Sequence, residues 1–452
     1  MKIEYVTHAS IKVCTGDEVL LLDPFYFFDD FMGSFMCHYP PRELSPESFP
    51  EIDYLFSSHI HPDHCHAHTL ELIREKIHHL LLPDERLGLV KLYKNLGYPD
   101  PCLLGNEETV TLSETLKLTT YWDGTVDTAL IIEADGCTIL HQNDCRLSSD
   151  TMRRIAQRHE IDFFFLLYTS SQSLFPFILD RTVEERGALA EEREQGLLNY
   201  QVSCIEILKP KVVVPYSMTM TFTQDAGMHV NSHWRFTPHT FCDALTQRCP
   251  DIHCLIMHPG DSIEISAGDY TLATAGRTRD LWGKTKDEYV ANVTRFLTEN
   301  RALLPDFVYG SADEALHSLE KQATRRLAVS APAGIQGKVV TLNIIGDNSR
   351  QTLSLNLADQ SIAPVSGPAD PYLVINIPAS VVDMLVKGEI DPFVALYTHE
   401  VSFNLQNAKD LEPEQEGMIY LDTMFYLFAK TKTEEIAETD GMRKARRGSP
   451  YL

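Results

Sequence analysis

The sequence predicts an α/β sandwich followed by a small α+β domain, and three observations carry that expectation. Strand-like apolar runs alternate with helical stretches over residues 1–277, the pattern of a layered α/β domain with function on its loops. One such run, Tyr54-Leu55-Phe56, leads straight into His59-Ile60-His61-Pro62-Asp63-His64, which packs three imidazoles and a carboxylate into six residues. All ten cysteines lie before residue 255, and of 18 histidines only His317 and His399 lie beyond His258. The chemistry is therefore expected in the first domain, with a different kind of domain behind it.

The elements follow in order. Residues 1–24 read as a hairpin, turned at Thr15-Gly16-Asp17 and ending at Asp23-Pro24. Residues 25–50, aromatic and proline-containing, read as a loop. Thr69 to Lys76 is helical. Strands are expected at Leu80–Leu82, Thr109–Leu112, Leu116–Thr120, Thr128–Glu133 and Cys137–Leu140, a helix at Ser149–Arg158, and a buried strand at Phe163–Leu167. Residues 182–208 read as one long helix stopped by Lys209-Pro210, and Val212-Val213-Val214-Pro215 as the next strand. Residues 278–309 are a charged helical connector. Residues 310–440 form the α+β domain: a helix over Ala312–Arg326, strands at Val339–Ile345, Thr352–Leu357 and Tyr372–Ile377, and a helix opened by Pro378-Ala379-Ser380. This domain is expected to shape the substrate site or to make a homodimer contact. Residues 441–452 are a short basic tail.

Composition narrows the function. With 64 acidic and 39 basic residues the formal net charge is -25. That excess argues against a nucleic acid or an anionic membrane as partner. No apolar run reaches the ~18–20 residues that span a bilayer, and Met1–Val6 begins at once with strand-like alternation, so a cytoplasmic location is the expectation. The cysteines are irregularly spaced with no C-x-x-C pair, which reads as reduced, mostly buried thiols.

The histidine loop carries the site. Alternate His59 and His61 point to one side of an extended chain end, and Asp63 and His64 follow as the chain turns, so four ligands converge on room for two metal ions. Asp23, after a buried leucine run, reads either as an acceptor that orients a ligand imidazole or as a strand-terminal turn residue.

The H-x-H-x-D-H order with a later Asp144 resembles the metallo-β-lactamase fold, an αββα sandwich. Within it, Tyr5-Val6-Thr7-His8-Ala9, Leu22-Asp23-Pro24, Pro40-Pro41, Ser58–His64, Asp123-Gly124, Asp127-Thr128 and Asn143-Asp144-Cys145 occur in the order seen in the CMP-N-acetylneuraminate hydroxylase family. Leu197-Leu198-Asn199-Tyr200 and Val212–Tyr216 extend the similarity, which is specific over the first 145 residues and loose beyond. The resemblance implies that His59 and His61 bind one metal, that Asp63 and His64 bind the second, and that Asp144 bridges them. Where hydrolases of this fold place a further histidine, this sequence offers Asp123 and Asp127, one of which is expected to be a ligand. The last ligand is assigned to His229, with His233 and His258 as alternatives, and Ser217 stands where that ligand usually falls. His8 is expected to hydrogen-bond a ligand carboxylate or the substrate, and, were the centre hydrolytic, Asp63 would double as a proton acceptor. Tyr168, Tyr216 and His38 are candidates to line the pocket.

The carboxylate-rich ligand set favours iron or manganese over zinc and stabilises higher oxidation states, which reads as the sign of an iron site. The expected activity is therefore that of a di-iron, oxygen-dependent hydroxylase acting on a small polar substrate, with O2 as co-substrate. A di-metal zinc or manganese hydrolase of a phosphoester, lactone or amide is the alternative. That hydroxylase family carries a Rieske iron–sulfur domain, which needs paired Cys/His motifs. Here the one C-x-x-H, Cys65–His68, overlaps the metal loop, so electrons are expected from a separate ferredoxin or reductase.

Overall fold

The computed structural model describes residues 1–26, 36–39, 49–61, 63–84, 87–123, 127–169, 175–217, 220–223, 227–231, 233, 235–266, 269–276, 280–301, 308–327, 329–364, 371–387, 392–396, 398 and 400–428. The basic tail and the Gly124 turn lie outside them. The chain divides into two compact units. The first comprises Met1–Ser171, Glu192–Thr221 and Trp234–Leu303, and the second Gln172–Glu191, Phe222–His233 and Leu304–Leu452.

The first unit is built on two sheets. One has eight strands, in the order Asp269–Ala273, Ser262–Ser266, Lys2–Thr7, Ser10–Thr15, Glu18–Leu22, Ile52–Phe56, Ile77–Pro83 and Cys102–Leu104. The other has seven, in the order His253–Cys254, Val212–Tyr216, Phe163–Leu167, Cys137–His141, Ala129–Ala134, Leu116–Tyr121 and Thr109–Thr111. Side chains alternate across each strand. One face of each sheet therefore joins a shared core that includes Ile3, Leu20 and Phe56 from the first sheet and Leu118, Leu130, Phe165 and Val214 from the second.

The opposite faces are covered by helices. Ala67–Ile73 and Leu87–Asn95 supply Leu70, Ile73, Leu89 and Tyr93 to a core with Leu55 and Leu80. Ser149–Arg158, the C-terminal half of Val183–Leu208, and Pro238–Arg248 cover the second sheet through Met152, Ile155, Val202, Ile205, Phe241 and Leu245. The result is the four-layer αββα arrangement expected from the sequence.

Strand direction positions the functional loops. Glu18–Leu22, Ile52–Phe56 and Ile77–Pro83 run parallel, as do Cys137–His141, Phe163–Leu167 and Val212–Tyr216. Ligands of parallel sheets bind beyond such carboxyl ends. Asp23, the 59–64 loop, Asp144 and Ser217 each follow one of these strands.

One pair of cysteines departs from the all-reduced expectation. Cys242, on the helix Pro238–Arg248, is joined to Cys254, on the short strand His253–Cys254. Cys14, Cys65, Cys102, Cys137, Cys204 and Cys249 are free thiols.

The second unit holds a five-stranded sheet ordered Ser361–Pro364, Arg350–Asn356, Val339–Ile345, Leu373–Pro378 and Ser402–Leu405. Only its Val339–Ile345/Leu373–Pro378 pair is parallel, the α+β arrangement read from the sequence. Within this unit Glu416, fully buried on the helix Pro413–Phe428, accepts from Asp180 N and Tyr420 Oη, each at 2.7 Å, and pairs with Arg181 Nη1 at 2.7 Å.

Candidate metal centre

The 59–64 loop is wound tightly at its far end, where His64 N and Cys65 N both donate to His61 O, at 2.9 and 3.0 Å. This turn brings Asp63 and His64 back beside His59. Two groups of ligand atoms result, each lying within 4.8 Å of one another: His8, Asp63 and His64 in one, and His59, His61 and Asp144 in the other.

Asp23 sets the orientation of the imidazoles. It is completely buried at the end of Glu18–Leu22, with φ 44°, a left-handed conformation that aspartate tolerates better than most residues. Its Oδ1 accepts from Ser58 N at 2.7 Å, and its Oδ2 accepts from Ser58 Oγ at 2.8 Å and His64 Nδ1 at 2.9 Å. Because Ser58 Oγ donates its only proton to Asp23, it accepts from His59 Nδ1, at 2.9 Å. The network thus assigns a proton to Nδ1 of both His59 and His64 and leaves Nε2 of each as the atom offered to a metal. A single buried carboxylate fixes two ligand tautomers, one directly and one through a serine hydroxyl.

The inner face is crowded with groups that want positive charge between them. His64 Nε2 is buried without a hydrogen bond and lies 3.5 Å from both Asp63 Oδ2 and Asp144 Oδ2. His59 Nε2 is 2.8 Å from His61 Nδ1 and 3.5 Å from Asp127 Oδ1. Burial, and then Asp144, push the Asp127 carboxyl up. Burial also opposes charge on Asp63 and Asp144, yet the imidazoles around them, His64 foremost, hold both carboxyls below the usual range. Burial alone would lower His64, but Asp144, Asp63 and Asp23 together drive it well above the ordinary imidazole value. Burial and the neighbouring His64 and His61 push His59 well below it. Carboxylates and imidazole lone pairs converging on one protonated ring fit a cation pair, which would displace that proton on binding.

The other predicted residues fall as follows. His8, fully buried with φ 49°, places Nε2 at 3.0 Å from Asp63 Oδ2, as expected of a partner to a ligand carboxylate, and it also belongs to the ligand group of Asp63 and His64. Asp123 is exposed. Its Oδ2 accepts from Ser148 N and its Oδ1 from Thr151 Oγ1, each at 2.5 Å, so it braces the cap residue Ser148 and the first turn of the helix Ser149–Arg158, whereas Asp127 faces His59. His229 belongs to the second compact unit, exposed on the turn Met228–Asn231 with its ring 6.1 Å from Phe177, and is in neither ligand group. His258 pairs with Asp280 at 3.0 Å. Ser217 (φ 70°) donates from Oγ to Asp144 Oδ1 at 3.4 Å and from N to His8 O at 3.1 Å. Tyr216 Oη accepts from Asn143 N at 2.7 Å, pinning the backbone next to Asp144. The structural parts of Ser58 and Tyr216 were not foreseen. The signal for Ser58 was its position, immediately before the first histidine and 35 residues after Asp23.

The chain is similar to several known proteins. Residues 2–167 match the Beta-lactamase superfamily domain. The CMP-N-acetylneuraminic acid hydroxylase of Danio rerio is 22% identical over 278 residues, covering 58% of this chain and 46% of that protein. The Mus musculus enzyme is 23% identical over 244 residues, covering 52% and 40%. The chain thus spans less than half the length of these curated relatives. Among solved structures, CmlA, a diiron beta-hydroxylase from Streptomyces venezuelae, is 18% identical over 58% of this chain and 54% of its own, at a TM-score of 0.41. An isothiocyanate hydrolase from Delia radicum gut bacteria is 13% identical, covering 59% and 100%, at 0.42. Over residues 2–167 the chain carries a β-lactamase superfamily domain of metallo-β-lactamase fold, with low-identity homology to the CMP-N-acetylneuraminic acid hydroxylases.

Proposed function

We propose that this chain is a di-metal, oxygen-dependent hydroxylase of a small polar substrate, with iron as its metal. The observation that carries this reading is the donor set. The two ligand groups hold the carboxylates Asp63 and Asp144 beside His8, His59, His61 and His64, and a third carboxylate, Asp127, lies 3.5 Å from His59, so oxygen donors stand among the imidazoles. Hard, anionic donors favour iron or manganese over zinc. The curated relatives are hydroxylases by name, which supports the same branch.

When bound, the iron pair would supply the redox chemistry and open positions that oxygen activation needs. His59, His61 and Asp144 would hold one ion, with Asp127 beside them, and His64 and Asp63 the other. Asp23 and Ser58 keep the ligand nitrogens lone-pair-inward. The His8–Asp63 pair holds a proton at a 3.0 Å contact inside the site. Converting C–H to C–OH with O2 also forms water and consumes two electrons and two protons, so the proposal includes a separate ferredoxin or reductase as electron donor.

The test is expression with iron supplied, elemental analysis, and oxygen uptake after chemical reduction. Two irons per chain with reductant-dependent oxygen consumption are expected. Two tightly held zinc ions, unchanged by iron loading, would overturn the proposal.

The same His8–Asp63 contact favours a second reading, a zinc or manganese hydrolase in which that pair accepts a proton from water. Oxygen-independent turnover of phosphodiester or lactone probes by the zinc or manganese form distinguishes it.

A further inference from the structure

The metal centre draws its residues from two sheets. His8, Asp23 and the 59–64 loop follow strands of the eight-stranded sheet, whereas Asp144 and Ser217 follow strands of the seven-stranded one. Apolar packing between the sheets is non-directional, so it does not by itself fix how the ligands of one meet those of the other. Hydrogen bonds across the gap have direction and can set that register.

His8 and Ala9 form the two-residue turn between Lys2–Thr7 and Ser10–Thr15, where Thr7 pairs with Ser10. Both carbonyls of this turn accept from the other sheet: His8 O from Ser217 N at 3.1 Å, and Ala9 O from His141 Nε2 at 3.0 Å. His8 is left-handed, with φ 49°. Such a conformation costs free energy in a residue with a side chain and persists only where the surroundings over-determine it. The two bonds from the opposite sheet hold the turn in this shape, and the turn holds His8 Nε2 at 3.0 Å from Asp63 Oδ2.

His141 ends the strand Cys137–His141, three residues before Asp144, and is completely buried. A carbonyl only accepts, so Nε2 carries the proton that reaches Ala9 O. The ring meets that of Tyr216 edge-on at 5.4 Å, and Tyr216 Oη accepts from Asn143 N, beside Asp144. His141 Nε2 also lies 4.0 Å from Asp23 Oδ2, the oxygen that orients His64 and, through Ser58, His59. One ring thus stands between the turn that carries His8, the carboxylate that aligns two ligand imidazoles, and the backbone that leads to Asp144.

We propose that His141 is a positioning residue: its hydrogen bond to Ala9 O holds His8 against Asp63 and so sets the group His8, Asp63 and His64 for the second metal ion. The proposal rests on the two-ion reading of the centre and is the same for oxidative and hydrolytic chemistry.

The test uses the full chain, stripped of metal and titrated with Co2+ alone. The absorption bands of the bound ions and competition by a chromophoric chelator are the readouts. The unaltered chain should take up two ions. H141F and H141M remove the donor but keep apolar packing, and in both one of the two ions should lose affinity about tenfold or more, the loss usual for an outer hydrogen-bond partner. H141Q should stay within about threefold of the unaltered chain, because its amide N–H lies as many bonds from Cα as His141 Nε2 and reaches the same carbonyl. H8A should weaken the same ion, and adding H141F to H8A should cost nothing further, because His141 acts through His8.

Equal losses in H141F and H141Q, or additive losses in the double variant, would make His141 a packing residue and overturn the proposal. So would H141F and H141M chains that bind both ions as the unaltered chain does. Urea denaturation of the metal-free variants separates affinity from folding: if neither H141F nor H141M folds, the bond holds the fold rather than the centre, and the proposal also fails. An unaltered chain that takes up fewer than two ions overturns the two-ion reading itself, an outcome distinct from a failure of His141.

Discussion

Replacing Asp23 by asparagine tests how the centre is organised. Asparagine is nearly isosteric and tolerates the left-handed φ of 44°, so the backbone should stay in place. The side-chain amide cannot satisfy its neighbours in either orientation. With NH2 at the Oδ2 position it opposes His64 Nδ1–H, and the ring relieves the clash by moving its proton to Nε2, the atom that faces Asp63 and Asp144. With NH2 at the Oδ1 position it opposes Ser58 N–H.

Either way a ligand imidazole or the loop that carries it is mis-set. Loss of such an outer partner typically lowers metal affinity 10- to 100-fold, about 1.4–2.8 kcal/mol. The buried donor left without an acceptor destabilises the fold by a further ~1–3 kcal/mol. Competition against a chromophoric chelator measures the first quantity and urea denaturation of the metal-free protein the second. S58A should reproduce a smaller part of the affinity loss, because it touches His59 alone among the ligands. A D23N protein that folds and binds metal within twofold of the unaltered chain would refute the idea that this carboxylate fixes the ligand tautomers.

Three further outcomes follow from the structure. D123A should cost about 1 kcal/mol of stability through loss of its hydrogen bonds to Ser148 and Thr151 and leave metal content unchanged, whereas D127A should lower metal content; the reverse pattern would move the ligand role to Asp123. G417A should destabilise by about 2–3 kcal/mol in chemical denaturation, although alanine ordinarily strengthens a helix, because the added Cβ would stand 1.7 Å from Phe175 Cζ; a gain in stability would contradict that packing. Burial alone would raise the Asp280 carboxyl, but hydrogen bonds from His239 and His258 hold it well below the usual range. With a depressed folded-state value, its contribution is fully present above the ordinary carboxylate pKa, about 3.9, and disappears as pH falls through the depressed value. D280N should therefore lose about 1–2 kcal/mol near neutrality and show a flatter decline of stability below pH ~4.

Much of the fold was legible because its signals are local. The periodicity around 149–158, 163–167 and 212–215 reads directly as the helix and strands found there, and the long helix expected over 182–208 spans Val183–Leu208. Of the connector expected over 278–309, the described residues form the helix Lys286–Glu299. The histidine loop was legible because alternation and a following turn bring its ligands together within six residues. What was not legible depends on contacts between distant segments. Asp23 was weighed as turn or acceptor, and only its 41-residue reach to His64 decides between them. Asp123 and Asp127 look alike in sequence, and a contact with the start of a helix 25 residues later separates them. His141 gave no signal at all, since a histidine ending an apolar strand reads as ordinary core until its 132-residue reach to Ala9 is known.

The route of the chain has a practical consequence. Because the second compact unit takes residues from Gln172–Glu191 and Phe222–His233 as well as from Leu304 onward, no single stop codon or protease cut yields either unit whole. A gene fragment ending near residue 303 would encode two stretches with nothing to fold onto, and one starting there would lack both. Gene shuffling, fusion tags or split-reporter designs on this protein need junctions that respect three separate stretches rather than one boundary.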